Sequence, residues 1–136
     1  MEITRSLENF TIMTVIYNQL TDFTYGDKKE YRDTRELVSS MLEIPYEEAS
    51  DYVKDVINYS LNNYGKIANV YIPLLKGWTW ERLPLLTKSI LVMAYARKEV
   101  EKVDKSMIID SSVSLAKKYI DPKQAKFINA ILDGAL

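Results

Sequence analysis

The 136-residue chain contains no cysteine, no histidine, four glycines and four prolines. Without cysteine there is no disulfide, no thiolate metal ligand and no thiol nucleophile, a usage that suits a reducing compartment. Without histidine, the usual general base near neutral pH and the commonest zinc ligand are also missing. Ser-His-Asp and Cys-His catalysis are therefore impossible within this chain. The glycines stand apart at positions 26, 65, 77 and 134, so neither a GxGxxG turn nor a phosphate-cradling loop can form. No apolar run approaches the length of a membrane span. The opening MEITRSLENF lacks the basic stretch, apolar stretch and cleavage site of a secretory signal. These absences predict a cytoplasmic, non-enzymatic protein that uses no metal and no cofactor and contacts no membrane.

What is present is ordinary for a globular chain: 47% hydrophobic and 27% charged residues. The length suffices for one core and not for two catalytic domains, so residues 1–136 are expected to form a single domain. Net charge is −1, unevenly spread. Residues 1–60 hold six basic and twelve acidic residues, whereas residues 61–136 hold twelve basic and seven acidic. A basic second half is one way to build a surface that meets an anionic partner.

Apolar residues recur at steps of three and four, and strand-like alternation is scarce. A first helix is expected after Ser6 as N-cap, carrying Leu7, Phe10, Met13, Tyr17 and Leu20 until TDFTYGD interrupts it. A second carries Leu37, Val38, Met41 and Leu42 and stops near Pro45, because the residue before proline resists helical geometry. Pro45 then opens a third, with Ala49, Tyr52, Val53, Val56, Ile57 and Leu61 on one face. Ile67, Val70, Leu74 and Leu75 mark a fourth segment that Pro73 should kink or break. A fifth follows Pro84 through Leu86, Ile90, Met93 and Ala94, with Arg97 at its exposed end. A sixth covers about Ser106 to Tyr119. The seventh lies in KYIDPKQAKFINAILDGAL, where Asp121 caps, Pro122 fits the first turn and Gln124 takes the third position of a capping box. The expected class is all-α, about seven helices around a shared core.

From Leu74 onward several motifs go beyond amphipathic spacing. They are Trp78 followed by Arg82 and Leu83, then Lys88 with SIL, then Leu115, Ala116 and Lys117, and lastly KFINAILD. This half of the chain resembles the NusB family of transcription antitermination factors, and VIYNQL in the first helix does so weakly. The resemblance implies two small three-helix bundles. It also implies a role without catalysis, binding single-stranded boxA-like RNA together with the ribosomal protein NusE in a transcribing RNA polymerase complex. The chain departs from the family pattern in three places. The family's N-terminal arginine cluster is reduced to Arg5, with Glu8 nearby. The family's Tyr-Glu after the fifth-helix core is replaced by Ala96 and Arg97, and its Asn-Glu pair in the sixth helix by Asp110 and Ser111.

On a wheel of about 100° per residue, the last helix centres its core face on Ala125, Ile128 and Leu132, with Phe127 roughly 110° away. Phe127 shares the flank of Ile131 and Lys123, with Lys126 farther round and Asn129 opposite. A half-exposed aromatic beside ammonium groups suits stacking on an unpaired base while the lysines meet phosphate. The expected RNA-binding set is Arg5, Lys117, Lys118, Lys123, Lys126 and Phe127. Trp78, Arg82 and Asn129 are assigned to structure, with Trp78 and Trp80 as plugs between the bundles and Asn129 hydrogen-bonded to a loop or helix end. Glu30, Arg32, Asp33, Arg35 and Glu36 are spaced for surface ion pairs. Glu47, Glu48, Asp51 and Asp55 read as a solvated acidic face.

Overall fold

The computed structural model describes residues 2–25 and 33–136. Among those residues the regular structure is seven α-helices and three short 3-10 turns. The first helix, α1 (Arg5–Tyr25), begins slightly earlier than Ser6 suggests. Thr4 Oγ1 accepts the Leu7 N–H at 3.1 Å, so Thr4 and not Ser6 is the cap. Along α1 the residues Ile12, Met13, Val15, Ile16 and Leu20 are buried. The hydroxyls of Thr11, Thr14 and Thr21 each donate to the carbonyl four residues back, which satisfies polar groups on an otherwise apolar face.

Helix α2 (Thr34–Leu42) is capped by Asp33, whose Oδ1 accepts the Arg35 N–H at 2.9 Å, and it ends where Glu43 turns left-handed at φ 56°. Of the ion-pair run, Asp33 and Arg35 reach only 4.0 Å, and Glu30 and Arg32 lie outside the described residues. Pro45 does not open the next helix. Its extended ψ of 144° leads into a 3-10 turn over Tyr46–Glu48. Helix α3 (Asp51–Asn62) then starts behind Ser50, whose Oγ accepts the Val53 N–H at 3.3 Å. Helix α4 (Tyr64–Tyr71) stops ahead of Pro73, where the chain tightens into a 3-10 turn over Ile72–Leu74, the break that proline imposes. A further 3-10 turn, Trp80–Arg82, precedes α5 (Leu85–Glu101), and α6 (Lys105–Tyr119) and α7 (Pro122–Ala135) complete the chain.

The cap of α7 forms as its sequence predicts, but only half of the box closes. Asp121 Oδ1 accepts the Gln124 N–H at 2.7 Å, while the Gln124 side chain turns away and accepts from Thr87 Oγ1 at 2.8 Å. Gln124 thus ties α7 to α5 instead of reinforcing its own cap. Asp121→Ala is expected to lower stability by about 1 kcal/mol in urea denaturation, with an unchanged m-value. A loss near zero would mean that solvent serves the Gln124 amide equally well.

Helix α5 is the axis of the fold. It packs against α1 and α3 on one side and α6 and α7 on the other, while α1 also packs on α2 and α3, and α6 on α7. Helix α5 thus belongs to both packing groups, α1/α3/α5 and α5/α6/α7, and its Ile90, Leu91, Val92, Met93 and Ala94 are all at most 1% exposed. Trp80 plugs the α4 side as expected. Its ring stacks on Tyr71 at 5.9 Å and 7°, and its Nε1–H donates to the Tyr64 hydroxyl at 3.0 Å. Trp78 does not share that role and is 52% exposed. The chain passes through Gly77 at φ 78° and extended Thr79 before turning at Trp80, so the two indoles face different directions.

Candidate functional site

The basic residues of the C-terminal helices are arranged around α6. On one side, α6 and α7 enclose an open groove of ≈ 450 Å³, with Lys117 and Asp110 on one wall and Lys126 and Asn129 on the other. On the opposite side, α6 and the start of α1 enclose a cleft of ≈ 230 Å³, lined by Ser6, Asn9, Ser111, Ser114, Lys118 and Tyr119. Ser114 borders both. Adjacent lysines therefore serve different grooves, because one residue step on a helix is a turn of about 100°. Lys118 Nζ sits 5.3 Å from the Tyr119 ring, which tilts against Phe10 at 4.9 Å.

Lys117, Lys118, Lys123 and Lys126 are all exposed, and none makes an ion pair with a described residue. Four uncompensated ammonium groups on two adjoining helices form a surface suited to an anion. Asn129 is exposed along the groove and its side chain makes no hydrogen bond to a described residue, in place of the loop or helix-end partner expected of it. Arg82 is exposed in its 3-10 turn and borders a cleft with Glu81, Tyr17 and Lys88.

Phe127 is half-buried and faces away from the groove. It tilts onto exposed Trp78, with ring centroids 6.4 Å apart and planes at 55°. Lys126 lies on the groove flank with Asn129, so α7 separates the aromatic from this lysine instead of presenting them side by side. This contact joins Phe127 to the segment ahead of the last 3-10 turn. Sequence spacing missed it because Trp78 sits in a loop whose direction is set by Gly77.

Arg5 is placed quite differently from the lysines. Its Nη1 donates to Glu101 Oε1 at 3.1 Å, its Nε lies 3.5 Å from Glu8 Oε1, and its guanidinium carbon is 3.6 Å from the centroid of the Tyr52 ring. Behind it stands Arg97, which is only 5% exposed and not at an open helix end. Arg97 Nε donates to Glu101 Oε2 at 2.9 Å, and Nη1 donates to Ser111 Oγ. Buried Glu8 accepts from Ser50, and buried Asn9 accepts the Tyr52 hydroxyl. Burial pushes the Tyr52 hydroxyl pKa up even though Arg97 and Arg5 pull it down. The signal available in the sequence was Arg97 four residues before Glu101, the spacing of a helical ion pair.

A model of the NusB family matches residues 11–136. The transcription antitermination protein NusB of Halalkalibacterium halodurans is 29% identical over 87 residues, which are 63% of this chain and 65% of that protein. The match therefore spans slightly less than two thirds of that relative's length. The Helicobacter pylori protein of the same name is 27% identical over 116 residues, 84% of each chain. Among solved structures, Thermotoga maritima NusB superposes with a TM-score of 0.75 over 99% of this chain and 92% of that one, at 20% identity. That last likeness concerns the all-α fold.

Proposed function

The chain belongs to the NusB family of non-enzymatic antitermination factors, and from that premise we propose that it binds boxA-type RNA and acts with NusE in a transcribing RNA polymerase complex, as a single cytoplasmic domain over residues 1–136. The observation that carries this reading is the groove between α6 and α7, where Lys117 and Lys126 face each other beside Asn129 with no ion pair to a described residue. A single strand lying there meets ammonium groups on both walls and an amide able to hydrogen-bond a base edge. Lys118 and Lys123 extend the basic surface to either side. Phe127 with Trp78 offers an aromatic platform on the far flank of α7, which a strand reaches only by crossing that helix.

The test is a fluorescence anisotropy titration of boxA-like and scrambled single-stranded RNA at two salt concentrations, with and without NusE. Lys117→Glu combined with Lys126→Glu is expected to weaken binding and to flatten the log-log salt slope by about 1.4, at about 0.7 per phosphate contact on a single strand. Phe127→Ala should leave the protein folded and weaken binding by about 1–3 kcal/mol if the ring stacks on a base. Binding no tighter than to the scrambled strand, in either setting, would eliminate specific RNA recognition. An unfolded Phe127→Ala variant would place that ring in the core instead.

A second reading, a protein-interaction module that has lost specific RNA binding, draws on one observation. Arg5, the sole remnant of the family's arginine cluster, is held by Glu8 and Glu101. NusE captured equally with and without RNA, by a protein that ignores boxA, would favour it.

A further inference from the structure

Among the described residues, Arg5 is the one member of the proposed RNA-binding set that already has anionic partners. Glu101 and Glu8 present one carboxylate oxygen each, 3.1 and 3.5 Å away, and the Tyr52 ring supports the guanidinium face at 3.6 Å. Each of these partners is fixed by something other than Arg5. The second Glu101 oxygen accepts from Arg97, the second Glu8 oxygen from Ser50, and the Tyr52 hydroxyl donates to Asn9. The cradle is therefore preformed and survives the departure of Arg5, and neither carboxylate is left without a partner. Arg5 itself remains 54% exposed along its side chain, so a phosphate can approach it from solvent.

We propose that Glu101 and Glu8 are an internal stand-in for phosphate, latching Arg5 in the free protein and yielding it only when RNA outcompetes them. The proposal rests on the RNA-binding reading and adds to it the regulation of the same surface. Arg5 stands at the first turn of α1, next to Ser6 and Asn9 of the cleft that Lys118 enters. A strand phosphate in that cleft competes directly with the two glutamates. The latch lowers affinity for any polyanion, and so raises the demand placed on the remaining contacts before Arg5 joins them. Glu101 is then a residue that sets affinity without touching RNA.

The test compares Glu101→Gln and Glu8→Gln, each alone and each combined with Arg5→Gln, in the same anisotropy titrations. Glutamine keeps an acceptor for Arg97 or Ser50 while removing the charge. Each single glutamine variant is expected to bind RNA about 1.5- to fivefold tighter, the range for one exposed ion pair. The salt slope should steepen by about 0.7 as one more phosphate contact forms. Arg5→Gln should cost less affinity in the native background than beside either glutamine, and the gain should vanish in the double variants. Glu8→Gln keeps the test open if Glu101→Gln destabilises the fold.

Glutamine variants that bind no tighter, or an Arg5→Gln loss as large in the native background as beside the glutamines, would overturn the latch. If no variant binds RNA, the RNA reading falls, and inorganic polyphosphate followed at the Arg5 Nε–H by ¹⁵N NMR decides the latch by itself. Displacement at lower polyphosphate concentration in the glutamine variants supports it. Displacement at the same concentration overturns it.

Discussion

Trp80→Ala is expected to destabilise the protein by about 3–5 kcal/mol, the usual cost of truncating a large core aromatic. Trp80 is 5% exposed and stacked flat on Tyr71, itself fully buried with its hydroxyl donating to the Leu91 carbonyl at 2.6 Å. Removing the indole opens a cavity between α4 and α5 and leaves the Tyr64 hydroxyl without its 3.0 Å donor. Lys88 adds to the loss. It is 7% exposed, its Nζ sits 6.0 Å from the Trp80 ring, and burial already pulls its pKa below the usual lysine range. Without the ring that ammonium loses its aromatic partner. At about 3–5 °C per kcal/mol for a chain of this size, the melting temperature should fall by roughly 10–25 °C. Trp78→Ala, at an exposed position against Phe127, should cost less than about 1 kcal/mol. Calorimetry showing equal losses for the two variants would refute the distinction between them.

The tryptophan pair also marks where sequence reading stops. The helices were legible because burial imposes steps of three and four on Val53, Val56, Ile57, Ile90, Met93 and Ile128 alike. In α1, however, the stripe is turned, with Ile12, Val15 and Ile16 buried and Leu7, Phe10 and Tyr17 only partly so. Pro73 and Asp121 acted as their local chemistry requires, since a proline break and an aspartate cap depend on a few neighbouring atoms. Pro45 misled because the same residue can open a helix or hold an extended ψ, and only the packing of Tyr46 and Ala49 against the core decides. Trp78 and Trp80 differ by two positions and one loop conformation, which no periodicity encodes. At the candidate site the lysines were legible as a basic strip. Their division between two grooves was not, because it depends on how α1 and α7 flank α6. Glu8 was visible three residues from Arg5, but the stronger engagement by Glu101 was not, since Glu101 lies 96 residues away in sequence.

Arg97→Ala is the second large effect, expected to cost about 3 kcal/mol, toward the lower end for breaking a buried ion pair. The lower end applies because Glu101 keeps Arg5 as a counter-charge and its own side chain is 15% exposed, so its charge is not stranded in the core. What is lost is the guanidinium that joins α5 to α6 through Ser111 and faces the Tyr52 ring of α3 from 5.7 Å. Arg97→Met should recover part of the loss by restoring packing along the stem without the charge. Urea denaturation separates the two contributions, and an Arg97→Ala loss below about 1 kcal/mol would show that solvent replaces the guanidinium at little cost. Arg97 and Ser111 touch across α5 and α6. An arginine at one and a small hydroxyl at the other are mutually fitted, whereas an acidic residue at 111 would form a second carboxylate partner and draw Arg97 away from Glu101. Ser111→Glu is for that reason the substitution that should loosen the hold of Glu101 on Arg97 while leaving α5 and α6 joined. Through Arg97, Ser111 is thus linked to the same glutamate that meets Arg5, since Arg97 holds Glu101 Oε2 and Arg5 holds Oε1.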